Sequence, residues 1–195
     1  MKIVVSLAIL WSWLISLHAV EKKIPLDSGI SPDNKYEVFL VVEEDGNGKC
    51  EKYEYVLVNL PEGRRILTVP CSYQPNAALL TEYSLNLAKA AEIYWSHDGT
   101  KLAIDEDNYR FMGTVRIIDS INRHPVWLAL AETQMDALVG NKLMRYRIRV
   151  EKGWDRDNQR LSLAVGGELK TSSGSIKKVQ RSFNVRVGNG NLYIE

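Results

Sequence analysis

The sequence predicts a mainly β fold: antiparallel strands in a meander of repeated units, with one or two helices inserted. Short apolar runs rich in Val, Ile, Leu and Tyr are bounded by turn residues, which is the pattern of strands. One turn motif recurs three times. Its Asp positions, Asp33, Asp98 and Asp157, are separated by 65 and 59 residues, and near-fixed spacing marks a repeated unit. The alternative architecture is a β-sandwich built from the same hairpins.

The clearest copy runs from Trp95 to Asp105: an aromatic, then Ser96-His97-Asp98-Gly99, then an apolar strand. Asp and Asn bond their own backbone two residues on, and Gly tolerates positive φ, so Asp98-Gly99 favours a tight reversal. Asp33-Asn34 and Asp157-Asn158 can make a similar one. Ser31, Ser96 and Asp155 each precede the turn Asp by two residues, where a short oxygen side chain can cap loop amides. A basic residue follows each turn: Lys35, Lys101 and Arg160.

Trp-Ser-x-Asp-Gly-x-x-Leu-Ala-Ile resembles the blade motif of TolB-like and WD40-like β-propellers of secreted and periplasmic bacterial proteins. The resemblance covers about a fifth of the chain, over Trp95–Asp105 and the two looser copies. It implies that the turn joins adjacent strands of a blade and that its residues are structural. Closed propellers carry about 4–8 blades, whereas three motifs are present here. The expectation is therefore an open blade array rather than a closed ring.

At the N-terminus, residues 1–19 read as a secretory signal peptide. Lys2 supplies the positive start, Ile3 to Leu17 the apolar run and Ala19 a small residue for cleavage. The run is shorter than the roughly 20 residues of a membrane span, and no Cys follows it to carry a lipid anchor. Residues 20–195 then form one domain of three units, about 30–75, 76–130 and 131–195. This places the protein outside the cytoplasm, periplasmic or secreted, with no stable membrane span after cleavage.

Charge is balanced in total, +1 over the whole chain, but not along it. Residues 20–62 hold ten acids against five bases, and residues 142–195 twelve bases against five acids. Two complementary ends of one fold explain this more simply than a polyanion-binding face. Near-neutrality and export together argue against nucleic acid as a partner.

In the first unit, strands are expected over Tyr36–Glu43, Lys52–Leu60 and Arg65–Val69, after a polar lead. The acidic turn from Glu43 to Gly48 lacks the spaced ligands of a calcium loop. The chain's two cysteines, Cys50 and Cys71, bracket the hairpin turning at Pro61-Glu62-Gly63. Counting from that turn sets them opposite each other within a residue or so. An oxidising compartment then predicts a Cys50–Cys71 disulfide, stabilising by about 3 kcal/mol in the loop-entropy model.

In the second unit, Leu80, Tyr83, Leu87 and Ala91 lie at helical spacing, so a helix is expected over Ala77–Ala90, with Ala91–Trp95 as the strand entering the central turn. Strands follow at Leu102–Asp105, Gly113–Asp119 and Val126–Leu130, with an acidic loop over residues 105–108. His97 and His124 sit in turns without a nucleophile elbow or a zinc-type His pair. No catalytic, cofactor or metal residue is assigned.

In the third unit, Met135, Leu138, Val139 and Lys142 suggest a short helix over Glu132–Leu143. Arg145, Arg147 and Arg149 then alternate with Tyr146, Ile148 and Val150. Period two puts all three guanidinium groups on one face of a strand, where they can engage carboxylates or phosphates bidentately. This is the candidate site for an anionic partner; the competing reading is a charged solvent face that discourages edge pairing. Strands close the chain at Leu161–Val165, Val179–Val187 and Leu192–Ile194, with a flexible polar loop at residues 171–175.

Two function classes follow: a non-enzymatic binding or structural module of the envelope or secreted space, or an envelope hydrolase or accessory domain with His97 and Asp98 in its site. The first has the Arg face and the repeats behind it; its partner is a protein or an anionic envelope component, or another copy paired through sheet edges.

Overall fold

A computed structural model describes residues 20–44, 50–72, 88–106, 114–130, 132–139, 143 and 145–195. The predicted signal peptide, the tip of the acidic turn and all but the last turn of the predicted first helix (residues 88–90 are helical) lie outside them. The chain forms three four-stranded antiparallel sheets, each a meander of consecutive strands. The first holds β1 (Val20–Ile30), β2 (Tyr36–Glu44), β3 (Cys50–Asn59) and β4 (Arg64–Pro70). The second holds β5 (Ala91–Trp95), β6 (Leu102–Glu106), β7 (Thr114–Asp119) and β8 (Val126–Leu128). After helix α1 (Glu132–Val139) comes the third: β9 (Arg145–Trp154), β10 (Arg160–Lys170), β11 (Ile176–Gly188) and β12 (Asn191–Ile194). Strands dominate, helices are few and short, and no sheet closes into a barrel.

Strand alternation explains the stacking. Successive side chains leave opposite faces, so the middle sheet presents two different faces. Ile93, Leu102, Ile104 and Ile118 pack against Val38, Leu40, Tyr55 and Leu57 of the first sheet. Ala103, Val115 and Ile117 pack against Leu161, Leu163, Phe183 and Val185 of the third, with Met135 and Val139 of α1 joining that core. A smaller cluster, Phe39, Val41, Val56 and Val58, lies on the other face of the first sheet.

Strand β1 departs from the polar lead expected there. Its sequence is charged, carries Pro25 and breaks register between Pro25 and Ile30. Pro and a bulge are tolerated because β1 is an edge strand that pairs only with β2. Gly29 lies so close to β2 that a Cβ there would come within 2.6 Å of the Val38 carbonyl oxygen.

The cysteines also depart from expectation. The Cys71 N–H donates to the Tyr53 carbonyl, 3.2 Å away, so Tyr53 rather than Cys50 lies opposite Cys71. A register shift at Leu57/Val58 adds a residue to β4, and Cys50 sits three residues further along β3. That offset is about 10 Å of strand, beyond disulfide reach, and both thiols are buried and free.

Two smaller differences follow the same logic. Asp105 and Glu106 are buried strand residues of β6, not loop. The segment 171–175 is a hydrogen-bonded turn rather than a flexible loop: the Thr171 hydroxyl accepts the Ser175 N–H at 3.1 Å, and Gly174 takes φ +84°.

Candidate functional site

The three predicted turns sit at equivalent places, each joining the first strand of its sheet to the second. Their backbones match bond for bond. The N–H groups of Ser31, Ser96 and Asp155 donate to the carbonyls of Tyr36, Lys101 and Arg160 at 2.8–2.9 Å. Asn34, Gly99 and Asn158 close the inner turn and all take positive φ, 56°, 68° and 57°. That geometry calls for Gly or Asn.

Side chains lock each turn. The Ser31 hydroxyl donates to Asp33 at 2.7 Å and accepts the Lys35 and Tyr36 amides. The Ser96 hydroxyl donates to Asp98 at 2.7 Å and accepts the Lys101 amide. In the third turn one Asp155 carboxylate oxygen accepts the Gln159 and Arg160 amides. Burial alone would raise the Asp33 and Asp98 carboxyls. Hydrogen bonds from Ser31 and Lys35, and from Ser96 and Thr100, outweigh it and hold both below the ordinary Asp value.

The turns also touch one another. Asn158 accepts the His97 backbone N–H on its side-chain oxygen and the Lys101 ammonium on its carbonyl, both at 2.7 Å. Asp33 lies beside Gly99, where a Cβ would meet it at 3.2 Å. The residue just before each turn ties its sheet to the preceding one. The Trp95 indole donates to the Ser28 carbonyl at 3.0 Å, and the Trp154 indole to the Tyr94 carbonyl at 2.9 Å. Ile30 holds that position in the first sheet, meets no preceding sheet among the described residues and is 52% exposed.

These ties position β9. It is an edge strand of the third sheet, and its outward Val150 N–H donates to buried Asp105 at 2.7 Å. Beside that contact lies a polar cleft of about 390 Å³, lined by Glu92, Asp105, Arg147, Arg149, Val150 and Glu151. Arg147 and Arg149 are exposed, on the face opposite the buried Ile148 and Val150. Arg145 begins the same strand, in the same period-two row.

The acids of the cleft are engaged by the protein itself. Glu92 accepts the Tyr94 hydroxyl, Asp105 the Val150 amide, and Glu151 the Ser182 hydroxyl at 3.0 Å. Burial, and then the Glu92 contact, pushes the Tyr94 phenol up. Arg149 has no ion pair among the described residues. The cleft thus sets the exposed Arg147 and Arg149 beside three acids that each accept a hydrogen bond from a neutral protein donor.

A second polar cluster, missed from the sequence, lies between the first two sheets. Glu106, 3% exposed, accepts the Ser72 backbone N–H at 3.1 Å and the Thr114 hydroxyl at 2.8 Å, and faces Arg116 at 3.9 Å. Arg116 in turn stacks on Trp127, 5.0 Å from the ring centroid. Nearby Cys71 has its thiol pushed up by burial, the reverse of an activated nucleophile. The signal for Glu106 was present in the alternation of β6, since a residue two after Ile104 must share its inward face. Among the described residues no group of His, Cys, Asp and Glu could hold a metal ion, and no helix is long and apolar enough to cross a membrane.

No protein-family model matches the chain, and a search of curated proteins returned no match.

Proposed function

We propose that this chain is an exported, non-enzymatic binding module of the cell envelope or secreted space, and that its Arg147–Arg149 surface takes a carboxylate- or phosphate-bearing partner. The observation that carries the reading is the pair of exposed Arg side chains, two residues apart on one face of the edge strand β9, at the rim of a polar cleft. Guanidinium groups two residues apart on a strand stand about 7 Å from one another along it, a separation that suits successive acidic groups on an extended partner. The repeated turns serve as the rigid frame, in keeping with the structural role that the blade resemblance implies.

The test is titration with a polyglutamate peptide and, separately, with inorganic phosphate. Arg147→Glu with Arg149→Glu should weaken polyglutamate binding at least tenfold at low salt, with the urea midpoint unchanged. Unaltered affinity in the double variant would refute the assignment.

A further inference from the structure

We propose that the outer edge of β11 takes an extended acidic peptide as an added strand, alongside residues 176–182. That edge lies across the third sheet from β9, and the inference does not depend on the reading of Arg147 and Arg149.

The other sheet edges are blunted. Strand β1 carries Pro25 and a bulge, and β4 breaks register against β3 and ends at Pro70. Strands β5, β8 and β12 have only five, three and four residues. Strand β9 breaks register against β10, and Asp105 holds its Val150 N–H. Shortness, proline and bulges are the ordinary means of keeping an edge from pairing. Strand β11 has none of them. It runs for 13 residues and pairs with β10 over eleven consecutive positions without a shift. On its other side β12 covers only Val185–Gly188. The Glu195 N–H ends that lane on the Asn184 carbonyl, 2.9 Å away. Among the described residues no strand pairs with residues 176–182 from that side.

The ladder fixes which backbone groups are left over. Successive residues of an antiparallel strand send their N–H and C=O groups to opposite edges. The Val187 N–H goes to the Gln159 carbonyl on the β10 side, and the Asn184 carbonyl serves the β12 side. By that alternation Val179 and Arg181 bond to β10, whereas Lys178, Gln180 and Ser182 turn their N–H and C=O groups to the free lane. These stand about 7 Å apart along the strand, which is the template that strand addition uses. The lane is open to solvent: Ile176 is 61% exposed, and Lys177, Lys178, Gln180, Arg181 and Ser182 are exposed as well.

Charge selects the occupant. Strand β11 holds Lys177, Lys178, Arg181 and Arg186 and no acid. Like charges set opposite each other destabilise a ladder, so this edge turns away a second copy of itself and favours an acidic strand. Lys177 and Arg181 leave one face and Lys178 the other, so acids fit on both faces of the added strand. Val179 packs against the core of the third sheet between Lys177 and Arg181, and an apolar residue fits opposite it.

The probe is the capped peptide Thr-Glu-Thr-Val-Glu-Glu-Thr, which sets acids opposite Lys177, Lys178 and Arg181 and its Val opposite Val179. Titration at low salt is combined with amide hydrogen exchange. The expected result is saturable binding, at least tenfold weaker when Lys replaces Glu in the peptide. The Lys178, Gln180 and Ser182 amides should gain protection while those of Val179 and Arg181 stay as they were. Gln180→Pro removes one outward N–H and spares the β10 ladder, so it should weaken binding at least tenfold. Lys177→Glu with Arg181→Glu, both at exposed positions, should do the same and admit the Lys peptide, which keeps the test decisive if the Pro variant fails to fold. No saturable binding up to about 1 mM, equal binding of the two peptides, or protection without the alternation overturns the inference. Binding lost on Arg147→Glu with Arg149→Glu but kept in Gln180→Pro moves the contact to β9 and overturns it too. A peptide-free dimer with the same three amides protected makes a second copy the occupant and overturns the acidic one.

Discussion

The three sheets share one meander, but among the described residues the middle sheet packs against a sheet on both faces and each flanking sheet on one, and the difference reaches down to single residues. In β6 every residue from Leu102 to Glu106 is buried. Its polar end residues become ties, Glu106 to Ser72 of the first sheet's segment and Asp105 to the edge of the third. In β2 and β10 the central residues are buried as well, but the outward positions near the turn carry Glu37 and Ser162, with no such tie among the described residues. The residue before the turn behaves likewise: Trp where a preceding sheet packs, exposed Ile where none does among the described residues. Coverage, rather than composition, decides whether a polar or large side chain in this repeat is structural.

That comparison can be broken most sharply at the turn-flanking position. Trp154→Ala removes a buried ring and its bond to Tyr94, so a loss of about 3–5 kcal/mol is expected. Ile30→Ala, at the equivalent exposed place, should stay within about 0.5 kcal/mol. Urea midpoints of the two variants decide it, and equal losses would contradict the equivalence.

Next in size is the tie between the first two sheets. Glu106→Ala leaves the Ser72 amide and the Thr114 hydroxyl without their acceptor and removes the carboxylate that faces Arg116, at a cost of about 2–3 kcal/mol. Glu106→Gln keeps an oxygen acceptor and should lose less. The same denaturation series would show the order, and a neutral Glu106→Ala would mean that the cluster is not a tie.

The turns themselves offer a smaller, pH-dependent effect. Asp33 and Asp98 are held below the ordinary carboxyl value, so the folded chain binds fewer protons there than the unfolded one. Their stabilisation is complete above the unfolded value near 4 and is lost as pH falls through the lower folded values. Asp98→Asn should flatten the acid limb of a stability–pH profile and lower stability at neutral pH by about 1–2 kcal/mol. An acid limb of unchanged slope would remove Asp98 from the account.

The smallest effect concerns the cysteines. Two free buried thiols predict that native alkylation is slow and that the unfolded protein takes up two labels without prior reduction. Uptake only after reduction would show that the two chain segments shift enough to join.

The sequence made the repeat legible because Ser, Asp, Gly and Asn at fixed offsets are required by a specific turn, and the second strand of each unit follows directly. The Arg row was legible for a similar reason, since period two puts Arg147 and Arg149 on one face whatever they meet. Strand β1 was not legible: an edge strand with Pro25, a bulge and four charged residues lacks the apolar run that marks a buried strand. Glu106 read as loop because acidic residues end strands more often than they tie sheets, and the partner that reverses this, Ser72, is 34 residues away. The cysteine register failed through a bulge, which counting from a hairpin turn cannot anticipate.

The stacking of the third sheet on the second is the claim on which the cleft depends, and amide hydrogen exchange at Val150 tests it most directly. That N–H points out from an edge strand, where solvent would exchange it rapidly, unless Asp105 holds it as described. Protection comparable to that of the central strand β10 is predicted, lost on Asp105→Ala. Exchange at the rate of an open edge would contradict the docking of β9 and, with it, the site.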